Sequence, residues 1–333
     1  MVIGICYELF SDYVWKPGDP PDADAEYEPE ETLFALEAAL SYLGHNAVRI
    51  GSARDLLRKL DVLRVDAALN IAEGAGSRNR EAHVPVLLEL AGIPHIGSDA
   101  LTLSLTLDKA LSKDLARVAG VPSPEFAVAS VDSELDEASL PAPFPLFVKP
   151  RYEGSSKGIS RHSRVESLPE LREQVGRVLS EYHQDALVER FIEGGGEFTV
   201  TIVGNSPPRT LPVLQRAIER DTRIGLHALE HRGASDAPWA YELGASLTPT
   251  LEEELGELAL RVYRKMECRD FARVDFRTDA EGTPWFLEIN PLPTFAPDGT
   301  FGVLAQVSGR DYVELLAEVL SYGIDRITSQ SGS

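Results

Sequence analysis

Residues 272–293, ARVDFRTDAEGTPWFLEINPLP, contain the pattern that decides the fold of this chain. Two stretches of alternating polar and apolar residues flank an Asp-Ala-Glu-Gly turn, which predicts a β-hairpin. On such a hairpin Asp275 and Glu288 lie opposite each other, and Asn290 follows two residues later on the same face. These oxygen ligands suit Mg²⁺, and Arg273 projects to the same face, where it can neutralise developing negative charge. The alternative is an amphipathic hairpin whose acidic face is merely solvated.

A second motif, PLFVKPRYEGSSKGIS at residues 145–160, combines a short apolar strand with a loop of small residues. The strand delivers Lys149, and the small residues of the loop are Gly154, Ser155, Ser156 and Gly158. Small residues let backbone N–H groups approach anionic oxygens, and lysine adds a positive charge on a flexible stem. The loop lacks the GxxxxGK[ST] pattern of a P-loop. The motif predicts a phosphate site, with a surface hairpin loop as the alternative.

A third motif, DALVERFIEGGGEF at residues 185–198, predicts a strand, a three-glycine turn and a second strand. The first strand ends at residues 189–192, where bare backbone groups could meet the donor and acceptor edge of adenine. Glu197 lies just beyond the glycines and could accept hydrogen bonds from ribose hydroxyls. A plain strand–turn–strand without a ligand is the alternative interpretation.

The first hundred residues alternate between predicted strands and helices, which is typical of a parallel sheet with helices on its faces. A proline- and acid-rich stretch, KPGDPPDADAEYEPEE at residues 16–31, interrupts this pattern and is predicted to be an exposed loop. Residues 105–120 have the apolar spacing of one amphipathic helix, and residues 158–163 are predicted to be a short strand. Further helices are predicted at 167–182, 248–266 and 309–326, with a frayed tail at 327–333.

Composition excludes several classes of protein. The chain has 333 residues, and 43% of them are hydrophobic, a content that argues against disorder. Its formal net charge of −21 argues against general nucleic-acid binding. No apolar run reaches the ~18 residues of a membrane-spanning helix, and the N-terminus lacks the features of a signal peptide. Cys6 and Cys268 cannot form a disulfide framework and are predicted core residues, which fits a reducing cytoplasm. Four of the seven lysines fall within residues 109–157, a cluster suited to holding phosphates.

In series, the three motifs resemble those of the ATP-grasp superfamily, and most closely those of the D-alanine–D-alanine ligases. The resemblance covers nearly the whole chain and implies an α/β fold, with an N-terminal βαβ (pre-ATP-grasp) domain followed by a two-part ATP-grasp fold. The implied limits are 1–105 for the N-terminal domain, 106–186 for the central subdomain and 187–330 for the C-terminal subdomain. The implied activity is that of an ATP-dependent carboxylate–amine ligase, which forms an acyl phosphate and then an amide.

The resemblance also implies a nucleotide-binding set, which is Lys109, Lys149, Glu153, Gly154, Ser155, Ser156, Glu189, Arg190, Phe191, Ile192 and Glu197. In this set the two lysines hold the ATP phosphates and the 153–156 loop covers them. The backbone of residues 190–192 meets adenine. The carboxylate of Glu189 takes the adenine amino group, and that of Glu197 takes the ribose.

For metal and catalysis the resemblance implies two smaller sets. The metal ligands are Asp275, Glu288 and Asn290, which would bind two Mg²⁺ ions, with Mn²⁺ as a substitute. Arg273 would stabilise the transition state, and Ser155 would orient the first substrate.

Departures from the ligase pattern concern the substrates. The ligases that make D-Ala-D-Ala carry a Gly-rich, Ser-containing loop for a substrate carboxylate, whereas here residues 294–299 contain Asp298. The mobile-loop Lys-Tyr pair of the family is missing, and around its place stand His227, Glu230, His231 and Arg232. These departures predict an amine substrate other than D-alanine. A true D-alanine–D-alanine ligase and a module that holds nucleotide without turnover are the alternatives.

Three glutamates are candidates for contact with the first substrate. Glu28 and Glu30, in the acidic stretch, are candidates for its amino group, and Glu73, after the third strand, for the same cavity. The expected partners are small amino-acid or peptide-like molecules, with no nucleic acid and no membrane. A homodimer is expected by analogy with the family.

Overall fold

The parallel sheet predicted for the N-terminal third is confirmed in a computed structural model, which describes residues 1–225, 241–242 and 247–330. Its elements are β1 (Val2–Cys6), α1 (Glu30–Tyr42), β2 (Asn46–Gly51), α2 (Ala53–Lys59), β3 (Ala67–Asn70), α3 (His83–Leu90) and β4 (His95–Ile96). The strands pair in parallel in the order β2–β1–β3–β4. Ile5 of β1 and Leu69 of β3 are fully buried in one cluster with Leu36 of α1, because helices cover such a sheet.

The acidic segment, residues 16–31, was predicted to be an exposed loop. The prediction holds for residues 16–18, 21, 30 and 31 but is wrong for the middle of the segment. Asp22, Glu26 and Glu28 are only 6–7% exposed. The Asp22 carboxylate accepts a hydrogen bond from the hydroxyl of Tyr182, which is far away in sequence. The Glu28 carboxylate accepts one from the hydroxyl of Thr32, in the following helix. Burial of acidic groups is tolerated where such partners satisfy them.

The single helix predicted over residues 105–120 is instead two helices, α4 (Ala100–Leu107) and α5 (Lys109–Val118). The break at Asp108 has a local cause. The Asp108 carboxylate accepts hydrogen bonds from the backbone N–H groups of the two residues after Lys109, and so caps α5. It also forms an ion pair with Arg151 at 2.8 Å. Lys109 is therefore fixed as the first residue of α5.

A second, antiparallel sheet forms the central part of the chain. Its elements are β5 (Phe126–Ala129), β6 (Leu146–Pro150), β7 (Arg164–Val165), α6 (Leu168–Glu181) and β8 (Ala186–Arg190), with strand order β5–β8–β6–β7. The strand predicted at residues 158–163 is wrong, because Arg161–Ser163 form a 3₁₀ turn capped by Ser160. Since β8 pairs with β5 and β6, we propose that the central subdomain extends to residue 190.

The C-terminal part is built on a third sheet. Its elements are β9 (Gly194–Val203), β10 (Arg209–Thr210), β11 (Leu214–Arg216), β12 (Ile218–Glu219), β13 (Tyr241–Glu242), α7 (Pro249–Lys265), β14 (Phe271–Asp279), β15 (Pro284–Asn290), α8 (Thr300–Ser308) and α9 (Tyr312–Gln330). The strand order is β10–β9–β14–β15, β11 also pairs with β9, and β12 pairs with β13 separately. β14 therefore lies inside the sheet, with Phe271 and Phe276 fully buried.

Two predictions for the C-terminal part are corrected. The three glycines predicted as a turn belong to β9, and a Cβ on Gly195 would lie 2.1 Å from Thr278 Oγ1, so close strand packing requires a glycine there. The tail predicted to fray from residue 327 continues α9 to Gln330, because Ile327 packs into the core. Helix α8 was not predicted.

Two expectations from composition can be compared with the structure. Cys6 and Cys268 are free and buried, as predicted for core residues, and burial raises the pKa of both thiols, that of Cys6 to about 12. Among the helices of the described residues, none combines the length and apolarity needed to span a bilayer.

Candidate active site

The hairpin predicted at residues 272–293 is confirmed with its predicted register. β14 and β15 pair antiparallel, so that Asp275 lies opposite Glu288 and Arg273 lies opposite Asn290. A register shift follows directly after Asp275. The predicted metal ligands and the predicted catalytic arginine therefore share one end of the hairpin.

The side-chain oxygen atoms of Asp275 and Asn290 already accept hydrogen bonds from other groups of the protein. Asp275 Oδ1 accepts a hydrogen bond from Thr199 Oγ1 of β9 at 2.8 Å. Asp275 Oδ2 lies 3.1 Å from Arg273 Nε. Asn290 Oδ1 accepts from the backbone N–H of Leu292 at 2.9 Å. Each oxygen has further lone pairs, so the side chains are oriented without being saturated.

Positive charge surrounds Glu288. Lys109 Nζ lies 3.6 Å from Glu288 Oε2. Burial alone would raise the pKa of Glu288, but the ammonium groups of Lys109 and Lys149 lower it to about 2. Burial would also lower the pKa of Arg273, but Asp275 keeps it above its ordinary value. Glu288 is therefore ionised at neutral pH and offers a full negative charge to a cation.

A cleft opens between the central and C-terminal sheets. It is lined by many of the predicted nucleotide residues, namely Lys149, Ser156, Glu189, Arg190, Phe191, Ile192 and Glu197, and by Asp275 and Glu288. Its walls include the rings of Phe147 and Phe191, which stack with centroids 5.7 Å apart. Apolar walls beside lysine and carboxylate groups suit a flat aromatic ring that carries an anionic chain.

Two lysines hold the carboxylate of Glu189, which was predicted to take the adenine amino group. The carboxylate lies 2.6 Å from Lys113 Nζ and 3.0 Å from Lys149 Nζ, and all three side chains are buried. Burial acts to raise the pKa of Glu189, but the two ammonium groups keep it below its ordinary value. Burial lowers the pKa of Lys113 to about 8, against the attraction of Glu189. The carboxylate is engaged with the lysines and does not support the predicted contact.

A second, smaller cavity shares Glu288 with the cleft. Other predicted residues that line it are Glu73, Lys109, Glu153, Gly154 and Asn290. Glu81 also lines it and was not predicted, because its loop has no periodic pattern that would place an acid inside. Burial raises the pKa of Glu73 well above its ordinary value and that of Glu81 to about 7. Because the cavity and the cleft share Glu288, a group bound in the cavity would lie beside a group bound in the cleft.

The predicted phosphate loop stands at the junction of the two spaces. Glu153 and Gly154 line the cavity, and Ser156 lines the cleft. Lys109 Nζ donates a hydrogen bond to the backbone carbonyl of Glu153. Ser155, predicted to orient the first substrate, is exposed and lines neither space.

Comparison with known proteins agrees with this geometry. The family model described as the D-ala D-ala ligase C-terminus matches residues 115–321, more than half of the chain. The chain belongs to the D-alanine–D-alanine ligase family. A D-alanine–D-alanine ligase of Stutzerimonas stutzeri is 32% identical over 293 residues, which cover 87% of this chain and 88% of the relative. An uncharacterized protein of Sinorhizobium fredii, y4sG, is 30% identical over 95% of this chain and 94% of its own length.

Solved structures share the fold. The D-alanine–D-alanine ligase of Bacillus anthracis, in complex with ATP, superposes with a TM-score of 0.73 at 23% identity and covers 99% of both chains. The VanG D-Ala:D-Ser ligase of Enterococcus faecalis gives a TM-score of 0.71 at 18% identity, over 97% of this chain and 99% of its own. The chain is thus a D-alanine–D-alanine ligase-like, ATP-dependent and ADP-forming ligase that makes C–N bonds.

The remaining predicted substrate residues of this ligase-like chain do not line the cleft or the cavity. Glu28 is buried near the loop that follows β15, where Thr294 hydrogen-bonds to its carboxylate. Glu30 is exposed and pairs with Arg49, and Asp298 is exposed. The four residues around the place of the family's Lys-Tyr pair lie outside the described residues: His227, Glu230, His231 and Arg232.

Stability should depend on pH through Glu28. Burial raises its pKa from 4.5 to about 7. A carboxyl with a raised pKa favours the folded state below its unfolded pKa, and this contribution is lost as the pH rises through the folded pKa. Glu28→Gln imitates the neutral form, so it should raise the free energy of unfolding at pH 8 by about 2–3 kcal/mol and have little effect at pH 4. Urea unfolding of both proteins at the two pH values tests this, and equal effects at both would contradict it.

Proposed function

We propose that this chain joins the carboxylate of one amino acid to an amine other than D-alanine, through an acyl-phosphate intermediate formed with ATP. The observation that supports the proposal most is the position of Glu288, which lines both the cleft and the cavity. A substrate carboxylate in the cavity would lie next to a nucleotide phosphate in the cleft. Lys109 lines the cavity and Lys149 lines the cleft, so positive charge is available on both sides of the reacting groups.

The residues of the cleft support nucleotide binding. Phe147 and Phe191 offer an apolar wall to adenine, and Glu197 lines the same cleft as a candidate for the ribose hydroxyls. The backbone N–H groups of Arg190 and Phe191 already donate to the carbonyls of Glu125 and Pro145, the residues just before β5 and β6. The backbone of Ile192 is then the better candidate for the adenine edge.

The metal ligands proposed for this site are Asp275, Glu288 and Asn290. They fit Mg²⁺ because two carboxylates and an amide oxygen are hard ligands, and because Glu288 is ionised at neutral pH. Bound there, Mg²⁺ would neutralise phosphate charge and orient the transferred group, and Mn²⁺ takes the same kind of ligand. Arg273, beside Asp275, would neutralise charge that develops on the phosphoryl group.

Two displacements make up the proposed reaction. An oxygen of the substrate carboxylate attacks the γ-phosphorus, and the bond to ADP breaks with its electron pair leaving on ADP. The lone pair of the amine then attacks the acyl carbon, phosphate leaves, and the nitrogen loses a proton to give an amide. The protein contributes mainly position and charge neutralisation, which the residues around Glu288 can supply.

Negative charge in the loop that follows β15 supports an amine other than D-alanine. This loop carries Asp298, whose charge contributes to the raised pKa of Glu28. An incoming carboxylate would meet repulsion of roughly 4 kcal/mol for one such charge at 4 Å and an effective dielectric constant of 20. An ammonium or guanidinium group would be attracted instead. The amine partner should therefore lack a free carboxylate at this point or carry a second positive group there.

The second candidate function is that of a true D-alanine–D-alanine ligase. The similarity to the D-alanine–D-alanine ligase of S. stutzeri favours it. A module that holds nucleotide without turnover is less well supported, because the chain has the complete set of side chains proposed for metal binding and catalysis, Asp275, Glu288, Asn290 and Arg273.

The test has two parts. First, MgATP at millimolar concentration should raise the melting temperature of the wild type, because a ligand that binds only the folded state stabilises it. Second, ADP release should be followed with a panel of D- and L-amino acids, diamines and amino-acid amides. We expect cationic amines to be preferred to D-alanine. Efficient D-Ala-D-Ala formation that Asp298→Ser leaves unchanged would contradict the proposed specificity.

A further inference from the structure

The acidic segment contacts the predicted phosphate loop, here residues 154–158, at two backbone N–H groups of that loop. The N–H of Gly154 donates to Glu26 Oε1 at 2.6 Å, and the N–H of Gly158 donates to Asp22 Oδ2 at 2.7 Å. Both carboxylates are buried, so these charge-assisted hydrogen bonds are shielded from water. The segment thus ties the N-terminal part of the chain to both ends of the 154–158 loop.

The two carboxylates are themselves held in place. The Tyr182 hydroxyl donates to Asp22 Oδ1 at 2.9 Å, from the end of α6. Arg80, from the turn before α3, forms a buried ion pair with Glu26, and Lys157 Nζ lies 3.5 Å from Glu26 Oε2. Burial would raise the pKa of Glu26, but Arg80 and Lys157 keep it below its ordinary value. Glu26 is therefore a fixed, ionised acceptor.

The loop between these contacts has backbone dihedral angles that are unfavourable for residues other than glycine. Ser155 and Ser156 have φ values of 45° and 59°, in the left-handed region that side chains other than glycine rarely adopt. Gly158 has φ 80°, and a Cβ there would lie 2.3 Å from Pro150 Cγ. Serines with such φ values persist where the surrounding structure determines their conformation.

We propose that Asp22 and Glu26 are positioning residues, which fix the 154–158 loop in a closed conformation at the mouth of the cleft. The proposal rests on the proposed function, because it takes the cleft to be the ATP site. The carboxylates orient the N–H groups of Gly154 and Gly158 and, through the loop, place Ser156 in the cleft. The loop then loses less conformational entropy when the nucleotide binds, which increases the affinity for ATP.

Asp22 is the residue to change, because Glu26 also compensates the buried charge of Arg80. Asp22→Ala removes the acceptor and should raise the KM for ATP about tenfold, which corresponds to about 1.4 kcal/mol, with kcat within about twofold. Asp22→Asn should restore the KM, because its amide can accept from Gly158 and donate to Tyr182. The matched control is Asp24→Asn in the same segment, whose side chain has no described contact with the loop and should leave KM unchanged.

Hydrogen exchange of the Gly158 amide provides a readout that does not depend on ATP. Asp22→Ala should accelerate it about tenfold or more and Asp22→Asn much less. A purely structural role would lower the melting temperature of Asp22→Ala without changing KM or this local exchange, and would overturn the proposal. An unchanged or lower KM for ATP in Asp22→Ala would also overturn it. If the wild type does not bind MgATP at all, the proposed function fails, whereas faster exchange at Gly158 would still support the loop contact.

Discussion

Glu288→Gln is expected to lower kcat by about 10²–10³-fold while the protein remains folded. The carboxylate lines both the cleft and the cavity and is held ionised by the surrounding lysines. Glutamine preserves the shape but removes one of two charges proposed to bind Mg²⁺, and it leaves Lys109 without its nearby counter-charge. Steady-state ADP release at saturating MgATP measures the loss, and circular dichroism confirms that the fold persists.

The matched control for this variant is Glu281→Gln. Glu281 lies on the exposed turn of the same hairpin, so the substitution removes the same charge from the same element without touching the cleft. We expect kcat of Glu281→Gln to stay within about twofold of the wild type. Wild-type kcat in Glu288→Gln would show that Glu288 is an ordinary strand residue.

Glu189→Gln is expected to lower the free energy of unfolding by about 3–5 kcal/mol at neutral pH. Its carboxylate lies within 3.0 Å of two buried ammonium groups, those of Lys113 and Lys149. Glutamine would leave both buried cations without a counter-charge at this point. Urea unfolding, followed by intrinsic fluorescence, measures the change.

A second substitution separates this structural role from adenine binding. Adding Lys113→Met to Glu189→Gln removes one of the two unpaired cations and should recover part of the lost stability. Glu193→Gln serves as the control. It removes an exposed carboxylate that forms an ion pair with Arg164, and should change stability by less than about 1 kcal/mol. A Glu189→Gln protein of wild-type stability that has lost only ATP affinity would instead support the contact with the adenine amino group.

Local patterns predicted the hairpin at the centre of the site. Alternation of side chains predicted which residues share a face of each strand, but the pairing of Asp275 with Glu288 also depends on the register shift after Asp275. The start of α7 also followed from a local pattern, because Thr248 caps the helix and Pro249 occupies its first position. The family resemblance added the order of the motifs and hence the ATP-grasp architecture.

Long-range pairing of charged groups was beyond the reach of local patterns. The partner of Glu26 is Arg80, and the partner of Glu189 is Lys113, so each buried acid depends on a base far along the chain. An acid-rich, proline-rich stretch therefore appears exposed until the fold supplies those partners. Asp108 is a different case, because one capping side chain overrode a continuous helical pattern.

Transfer of an oxygen isotope tests the central claim most directly. The amino acid that gives the fastest ADP release would be labelled with ¹⁸O in its carboxylate, and the released phosphate would be analysed by mass spectrometry or ³¹P NMR. Attack of the carboxylate on the γ-phosphorus makes its oxygen the bridging atom of the acyl phosphate. The phosphate released on amide formation should therefore carry one ¹⁸O atom per turnover. Phosphate free of ¹⁸O, formed at the same rate as ADP, would contradict the acyl-phosphate mechanism and indicate hydrolysis of ATP by water.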